Sequence, residues 1–399
     1  MKPLKPIILA LFIILLSCNK EKESSKKQWY KGNLHTHSYW SDGDEFPEVI
    51  MDWYKSNNYQ FVALTDHNTL AEGDKWLTIS NDSIYQKAFK NYLDSYGTDW
   101  IHYKIDSLNR TQVKLKTYKE YKPKFEEKDK FLIIQSEEIT DSYNGKPIHI
   151  NATNVKKKID PQGGHSVLEV MQNNLDEVTK HKEEFGNPII AHINHPNFGY
   201  AIDLEDMKAL KNEQFFEVYN GHPAVNNSGN DEHISTELMW DYINIAYIEN
   251  NKPIMYGLAT DDSHHYHTKG SKWSNAGRGW IMVQADSLNP KSLINAMEAG
   301  QFYASTGVEL EDLTFENNSL SVEVKADKNV TYKISFIGCK KEQGEPEEFA
   351  SFESNKASFK LTNNLLFIRC KITSSKLHKN PIEYLLFENA WTQPYVFIE

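Results

Sequence analysis

Eight short apolar runs, several of them closed by a histidine or a carboxylate, constrain the fold of this chain more than any other feature. They occupy residues 33–37, 60–65, 131–135, 147–152, 188–193, 215–219, 254–259 and 279–283. Runs of this length, set between longer amphipathic or polar stretches, predict strands alternating with helices: an α/β layer fold or barrel. In such folds the working groups collect at the C-terminal ends of strands, so polar residues there read as a site rather than as failed core.

The first run ends in Leu34-His35-Thr36-His37, followed by Ser41-Asp42-Gly43. Residues i and i+2 of a strand point to one face, so His35 and His37 aim two imidazoles at one place, and Asp42 can return a carboxylate from the next turn. Further along come Thr65-Asp66-His67, Glu137-Glu138-Ile139-Thr140, Ile148-His149-Ile150, His192-Ile193-Asn194-His195-Pro196 and Asp261-Asp262-Ser263-His264-His265. Fourteen of the 15 histidines lie before residue 268. Any one of these motifs is short enough to arise by chance; their order is what carries information.

That order resembles the PHP family, named for its polymerase-associated and histidinol phosphatase members, over residues 31–308. The segments Glu217-Val-Tyr-Asn-Gly221, Phe302-Tyr-Ala-Ser-Thr-Gly307 and Trp391-Thr-Gln-Pro394 look like the branch containing the CehA-type metallohydrolases. The resemblance implies a distorted (β/α)7 barrel holding two or three divalent ions, zinc, manganese or iron, at its C-terminal mouth. By motif position, His35, His37 and Asp262 would hold one ion and Glu138 would bridge to a second, which His195 and His149 would ligate. Asp42, His67 and His264 would form a third position, and Asp66 would orient His67 or the attacking water. The implied activity is hydrolysis of a small phosphate ester by a metal-bridging hydroxide. The residue chemistry agrees independently: imidazoles and carboxylates without cysteine suit zinc, manganese and iron without selecting among them, and two neighbouring ions need a shared carboxylate.

Several residues have competing readings. Glu137 and Glu138 alternate to opposite sides of a strand, and the Glu-Ile-Thr context selects Glu138. His192 lies three residues before His195, a spacing that one strand face cannot accommodate, and reads as a hydrogen-bonded core histidine. Arg278, before the last run, is either a bidentate phosphate anchor or a surface arginine. Asn220 and His222 either meet substrate or brace their own turn. Asp261 puts the local charge of its motif in question, and His265 and His267 read as solvated.

A carboxylic ester or carbamate hydrolase is the nearest alternative activity, since the same activated water attacks either centre. An alternative of another class is a glycan- or partner-binding lipoprotein on an inactive scaffold. A net charge of −11 and the absence of a concentrated basic run exclude a general nucleic-acid binder.

At 399 residues the chain exceeds a single core. Lys2 and Lys5 precede an apolar stretch at 7–16 and then Leu15-Leu16-Ser17-Cys18, which resembles a bacterial lipoprotein signal. It implies cleavage and lipidation at Cys18 and a membrane-anchored place in the cell envelope, on the periplasmic side or at the surface. A plain secretory peptide is the alternative, since the stretch is short for a span. Residues 19–30 then read as a tether and 31–308 as the hydrolase unit. Within it, 72–130 is a helical insertion forming a cap beside the site, with His102 on its surface. Residues 309–399 alternate with period two and predict a small β-sandwich-like domain that buttresses the barrel. Its Cys339 and Cys370 either form a disulfide or sit as separate buried thiols.

Overall fold

The computed structural model describes residues 27–382 and 385–398. The signal-like segment with Cys18 and most of the tether lie outside the described residues. No helix among the described residues is long and apolar enough to cross a membrane. The chain runs through β1 (Gln28–Asn33), α1 (Pro47–Ser56), β2 (Phe61–Leu64), β3 (Trp76–Thr78), α2 (Ser83–Tyr96), β4 (Tyr103–Ile105), β5 (Thr111–Lys114), α3 (Tyr118–Phe125), β6 (Leu132–Tyr143) and β7 (Lys146–Thr153). It continues through α4 (Val167–Phe185), β8 (Ile190–Ile193), α5 (Leu204–Ala209), β9 (Phe215–Asn220), α6 (Thr236–Glu249), β10 (Tyr256–Thr260), β11 (Trp280–Ala285), α7 (Pro290–Glu298) and β12 (Phe302–Ser305). The remainder is all strand: β13 (Leu310–Glu316), β14 (Ser319–Val324), β15 (Tyr332–Lys340), β16 (Pro346–Glu353), β17 (Lys356–Lys360), β18 (Leu365–Leu377) and β19 (Phe387–Thr392).

Seven of the eight apolar runs lie on strands, with β6 extending further than expected; the first does not, since β1 falls in the expected tether and overlaps that run only at Asn33, leaving His35 and His37 beyond the strand. The helices follow their local signals. At the start of α4 the Ser166 hydroxyl accepts the Glu169 amide, and the helix stops at Gly186, whose φ of 61° is left-handed. The insertion differs from expectation: besides α2 and α3 it contains a three-stranded sheet, β3-β5-β4. Phe89, Tyr92, Val113 and Tyr121 from the insertion pack with Trp40 and Phe46 of the loop after the paired histidines, and that contact fixes the loop.

The site-bearing strands lie in the order β10-β9-β8-β7-β6-β2-β1. Neighbours are parallel except β7, which is antiparallel to both β6 and β8. The expected barrel does not close as a continuous ladder, because β11 occupies the other edge of β1, antiparallel from Gln28↔Ala285 to Gly32↔Ile281. The two ends of the row meet only beyond the strands, at a bridge between Thr36 and Ser263. There His37 N donates to Ser263 O and Asp262 N donates to His35 O, both at 2.9 Å.

Residues 309–399 contribute to two facing sheets, one of them continuous with the main sheet. The free edge of β12 pairs with β19, so the main sheet continues through β19-β18-β15-β16 to 13 strands. A second sheet, β13-β14-β17, packs Leu313 and Val322 against Ile334, Ile368 and Ile372 of the main sheet. Cys339 and Cys370 are both free and buried. Cys370 pairs in register with Phe336, three residues from Cys339, so strand alternation sends the two thiols to opposite faces.

One buried ion pair clamps the C-terminal strands to the site-bearing layer. Arg369 of β18 donates Nε to Asp241 Oδ1 at 2.6 Å and Nη2 to Oδ2 at 2.7 Å, both on α6, and reaches Glu237 at 3.1 Å. Arg369→Ala leaves Asp241 buried without its partner and is expected to cost about 3–5 kcal/mol in urea unfolding. Arg369→Met combined with Asp241→Leu is expected to recover most of that loss.

Candidate metal centre

Beyond Asn33 the chain stays extended, so His35 and His37 project to one side, and Thr36, facing the other way, bonds the Tyr266 hydroxyl at 2.7 Å. Gly43 packs directly on the His37 carbonyl, where any Cβ would lie 2.5 Å from backbone atoms; this turn therefore needs glycine to bring Asp42 back. His67 follows β2, Glu138 and Thr140 share one face of β6, and His149 lies opposite Thr140 on β7. His195 follows β8, and Asp262 and His264 follow β10. His195 and Asp262 take left-handed backbone angles, φ 25° and 47°.

All nine residues read from the sequence as ligands converge. Glu138 is fully buried, and each of its oxygens faces its own set of imidazoles. Oε1 lies 3.4 Å from His35 Nε2, 3.0 Å from His149 Nδ1 and 3.5 Å from His195 Nε2. Oε2 lies 3.2 Å from His37 Nε2 and 2.9 Å from His67 Nδ1. Asp262 Oδ1 sits 3.3 Å from His35 Nε2, 3.2 Å from His37 Nε2 and 3.5 Å from His264 Nδ1. Asp42 Oδ1 is 3.3 Å from His264 Nε2 and Oδ2 is 3.6 Å from His67 Nε2.

These contacts define groups that could each hold a cation: His37 with Asp42, His67 and His264; His35 with His195 and Asp262; His35 with His37 and Glu138; and His67 with Glu138 and His149. The grouping differs from the expectation in two respects: His149 falls with His67 whereas His195 falls with His35 and Asp262, and His37 also joins Asp42, His67 and His264. Donor atoms around a tetrahedral ion at ordinary bond lengths stand about 3.3 Å apart, and the contacts of His35 and His37 with the Glu138 and Asp262 oxygens run from 3.2 to 3.4 Å. Moreover, His35 Nε2, His37 Nε2, Glu138 Oε2 and His149 Nδ1 are buried and have no hydrogen-bond partner. Orphaned polar atoms this deep are costly, and divalent ions would satisfy them all. The donor set therefore fits the implied metals.

The protein's own charges are arranged accordingly. Burial opposes ionisation of Glu138 and Asp262, but the histidines facing them outweigh it and hold both carboxyls well below the usual range. Burial and the neighbouring His264 push His37 down to about 3, whereas Glu138 and Asp42 overcome burial to raise His67 to about 11.

Other residues orient the ligands. Glu217, fully buried in the apolar strand β9, accepts the His35 ring at 2.6 Å, the Thr260 hydroxyl at 2.7 Å and the His195 amide at 2.8 Å. By holding Nδ1–H of His35 it turns Nε2 toward the cluster. Asn194 donates to Glu138 Oε1 at 2.7 Å, and the Thr140 hydroxyl meets His67 Nδ1 at 2.5 Å. Glu217 opens a segment that carries the family resemblance and Asn194 lies inside the His-Pro motif, but the sequence assigns neither a role. Beyond that, their sequence signal is polarity inside a strand or between two site histidines.

Several roles change. Asp66 does not touch the cluster; its carboxylate accepts the Ser38 and Ser41 amides at 2.8 and 3.1 Å and both hydroxyls at 2.7 Å, pinning the loop between His37 and Asp42. Arg278 is no phosphate anchor, because it is buried and every guanidinium N–H is used by Asn380, Gly221, Trp273 and Gly270. Asn220 is buried and donates to Glu217 at 2.8 Å and Asp262 at 3.1 Å, so it braces ligands instead of meeting substrate. Asp261 faces away, accepting the Tyr54 hydroxyl and the amides of Gly277, Arg278 and Gly279. His192 is buried as expected but lacks the expected hydrogen bonds, its Nε2 standing 3.5 Å from Glu217. His265 and His267 are half-buried, bonded to Ser274 Oγ and Asp44 O, not solvated. Glu137 points to the opposite face and accepts the Ile159 amide. His222 remains available: the Ala224 amide donates to its Nδ1 at 3.1 Å, which places the neutral ring's proton on Nε2.

No family model matches the chain, and no curated protein matches it significantly. Among solved structures, it is similar to a two-domain protein containing a predicted PHP-like metal-dependent phosphoesterase from Bacteroides vulgatus, at 12% identity, covering 94% of this chain and 96% of that one, with a TM-score of 0.39. An amidohydrolase from Chromobacterium violaceum matches at 11% identity over 59% of this chain and 87% of that one, TM-score 0.26. A candidate metal-dependent phosphoesterase from Bifidobacterium adolescentis matches at 11% over 66% and 90%, TM-score 0.27. Likenesses this loose carry no argument about function, which rests on the residues themselves.

Glu217→Gln removes the charge that fixes the His35 ring while keeping its size. It is expected to weaken metal binding by about 10- to 100-fold in chelator competition, with the unfolding midpoint little changed.

Proposed function

We propose that the chain is a PHP-type metal-dependent phosphoesterase of the CehA-like branch, acting on a small phosphate ester with two or three divalent ions. The observation that carries this reading is the convergence of buried, partnerless donor atoms from His35, His37, Glu138 and His149. In this reading His35, His37, Glu138 and Asp262 would hold one ion, Asp42, His67 and His264 another, and His149 and His195 would complete the set. Bound there, divalent ions supply activation of water and neutralisation of charge on the phosphoryl oxygens.

The chain's own groups do the rest. Glu138, with an oxygen toward each side of the cluster, sets the spacing of the ions. Glu217, Asn220 and Thr140 keep His35, Asp262 and His67 in register. His222, whose pKa burial and the neighbouring histidines depress to about 4, is neutral near pH 7 and offers Nε2–H to an ester oxygen. The hydroxyls of Ser38, Ser41 and Ser263 are engaged in hydrogen bonds, which favours direct attack by water over a covalent enzyme intermediate. We place the hydrolase unit at residues 31–308 and propose lipidation at Cys18, which palmitate labelling lost in Cys18→Ser would support.

Purified protein should contain divalent metal and turn over phosphomonoesters or phosphodiesters in a panel that includes aryl carboxylic esters. Turnover of carboxylic esters alone would refute the phosphoesterase reading. Glu138→Gln should abolish turnover, and His222→Asn should lower kcat/KM by about tenfold with metal content unchanged.

A further inference from the structure

None of the nine candidate ligands lines a cavity of about 580 Å³ that lies beside the segment following His264. Tyr266 forms part of its wall, its hydroxyl bonded to Thr36 and Ser263. The cavity is built at the seam where the C-terminal strands join the site-bearing layer: Lys31, Tyr59 and Trp280 come from one side, Lys379 and Asn380 from the other. A neighbouring groove of about 530 Å³ shares Lys31 and Asn58 with it. Volumes of this size suit metabolite-sized ligands, and such seams are where ligand sites tend to lie.

Its chemistry is directional. The Lys31 ammonium stands 4.1 Å from the Tyr59 ring centroid and 3.8 Å from that of Trp280. It makes no ion pair among the described residues. Burial depresses its pKa to about 8, against the pull of Asp261 and Glu309 and with the push of Lys379. The cavity's carboxylates are otherwise engaged: Glu309 pairs with Lys325 at 3.1 Å and Glu388 with Lys376 at 3.3 Å. Lys31, Lys269 and Lys379, around one cavity, thus make no ion pair among the described residues, in a chain whose net charge is −11.

We propose that this cavity is a second ligand site, separate from the metal centre, that takes a small organic anion, a carboxylate or phosphate on a ring-sized body. The anionic group meets Lys31 with Lys379 opposite, and the body lies along the aromatic wall that Trp53 and Trp280 contribute. An anion here restores the compensation that a buried ammonium otherwise lacks. This assignment stands independently of the reaction at the metal centre. It also gives the C-terminal strands a function beyond support.

Calorimetric titration of the metal-loaded protein with benzoate, phenylphosphonate and the neutral benzyl alcohol tests it. Benzoate or phenylphosphonate should bind, the stronger identifying the anionic group, and benzyl alcohol should bind about tenfold or more weaker. Lys31→Met should lower affinity for the anion by about tenfold while Lys31→Arg retains it. The exposed Lys379→Glu provides the same readout if Lys31→Met fails to fold. Equal binding of benzyl alcohol, unchanged affinity in Lys31→Met and Lys379→Glu, or no binding of either anion would overturn the proposal.

Discussion

A carboxylate with no exposure to solvent, surrounded by five imidazoles, is the constraint on which this molecule turns. An unpaired ion at the depth of Glu138 would cost several kcal/mol. What compensates it is distributed over the whole site-bearing row: His35 and His37 beyond β1, His67 beyond β2, His149 on β7, His195 beyond β8, with Asn194 adding a direct hydrogen bond. A register slip in any of these strands would turn a compensating ring away and leave the charge exposed to nothing. The antiparallel placement of β7 belongs to the same logic. It sets His149 opposite Thr140 and Asn151 opposite Glu138, so one ladder delivers a ligand and its supports together.

Around this centre lies a set of charged groups that never reach it. Asp66 holds the loop between His37 and Asp42, Asp261 gathers three successive amides at Gly277, Arg278 and Gly279, and Arg278 ties the segment after His264 to the C-terminal strands through Asn380. Each satisfies otherwise homeless backbone groups in irregular chain, which cannot satisfy itself as helices and ladders do. Ligand precision on loops therefore depends on buried charges one step back from the chemistry.

These roles explain what the sequence disclosed and what it withheld. The ligands were legible because strand alternation and motif order are local properties: His35 and His37 need only extended backbone to converge, and Glu138 is separated from Glu137 by the same rule. The apolar runs likewise announced their strands. Arg278 was not legible, because its five acceptors come from residues as distant as Gly221 and Asn380, and only the assembled fold shows that no N–H is free. Asp66 misled for a related reason: adjacent to a candidate ligand in sequence, it points across to Ser38. Closure of the row could not be read either, since the competitor for the edge of β1 is β11, far along the chain. The C-terminal strands were read by their alternation, but that pattern does not say which free edge they will join.

The place where the row fails to pair and the place where the ligands gather turn out to be the same. Because β11 occupies the edge of β1, the ends of the row are joined by hydrogen bonds of the chain beyond the strands, among them the backbone bonds of His35 with Asp262 and of His37 with Ser263. Of His35, His37, Asp262 and Ser263, the first three carry donor atoms of the cluster and Ser263 lies between Asp262 and His264. A cation gripped by His35 and Asp262 spans the same gap as the two backbone bonds. Ligand that binds only the folded state adds to its stability, and here the addition falls on the weakest seam of the sheet. A cation held there would couple its own binding to closure of the row.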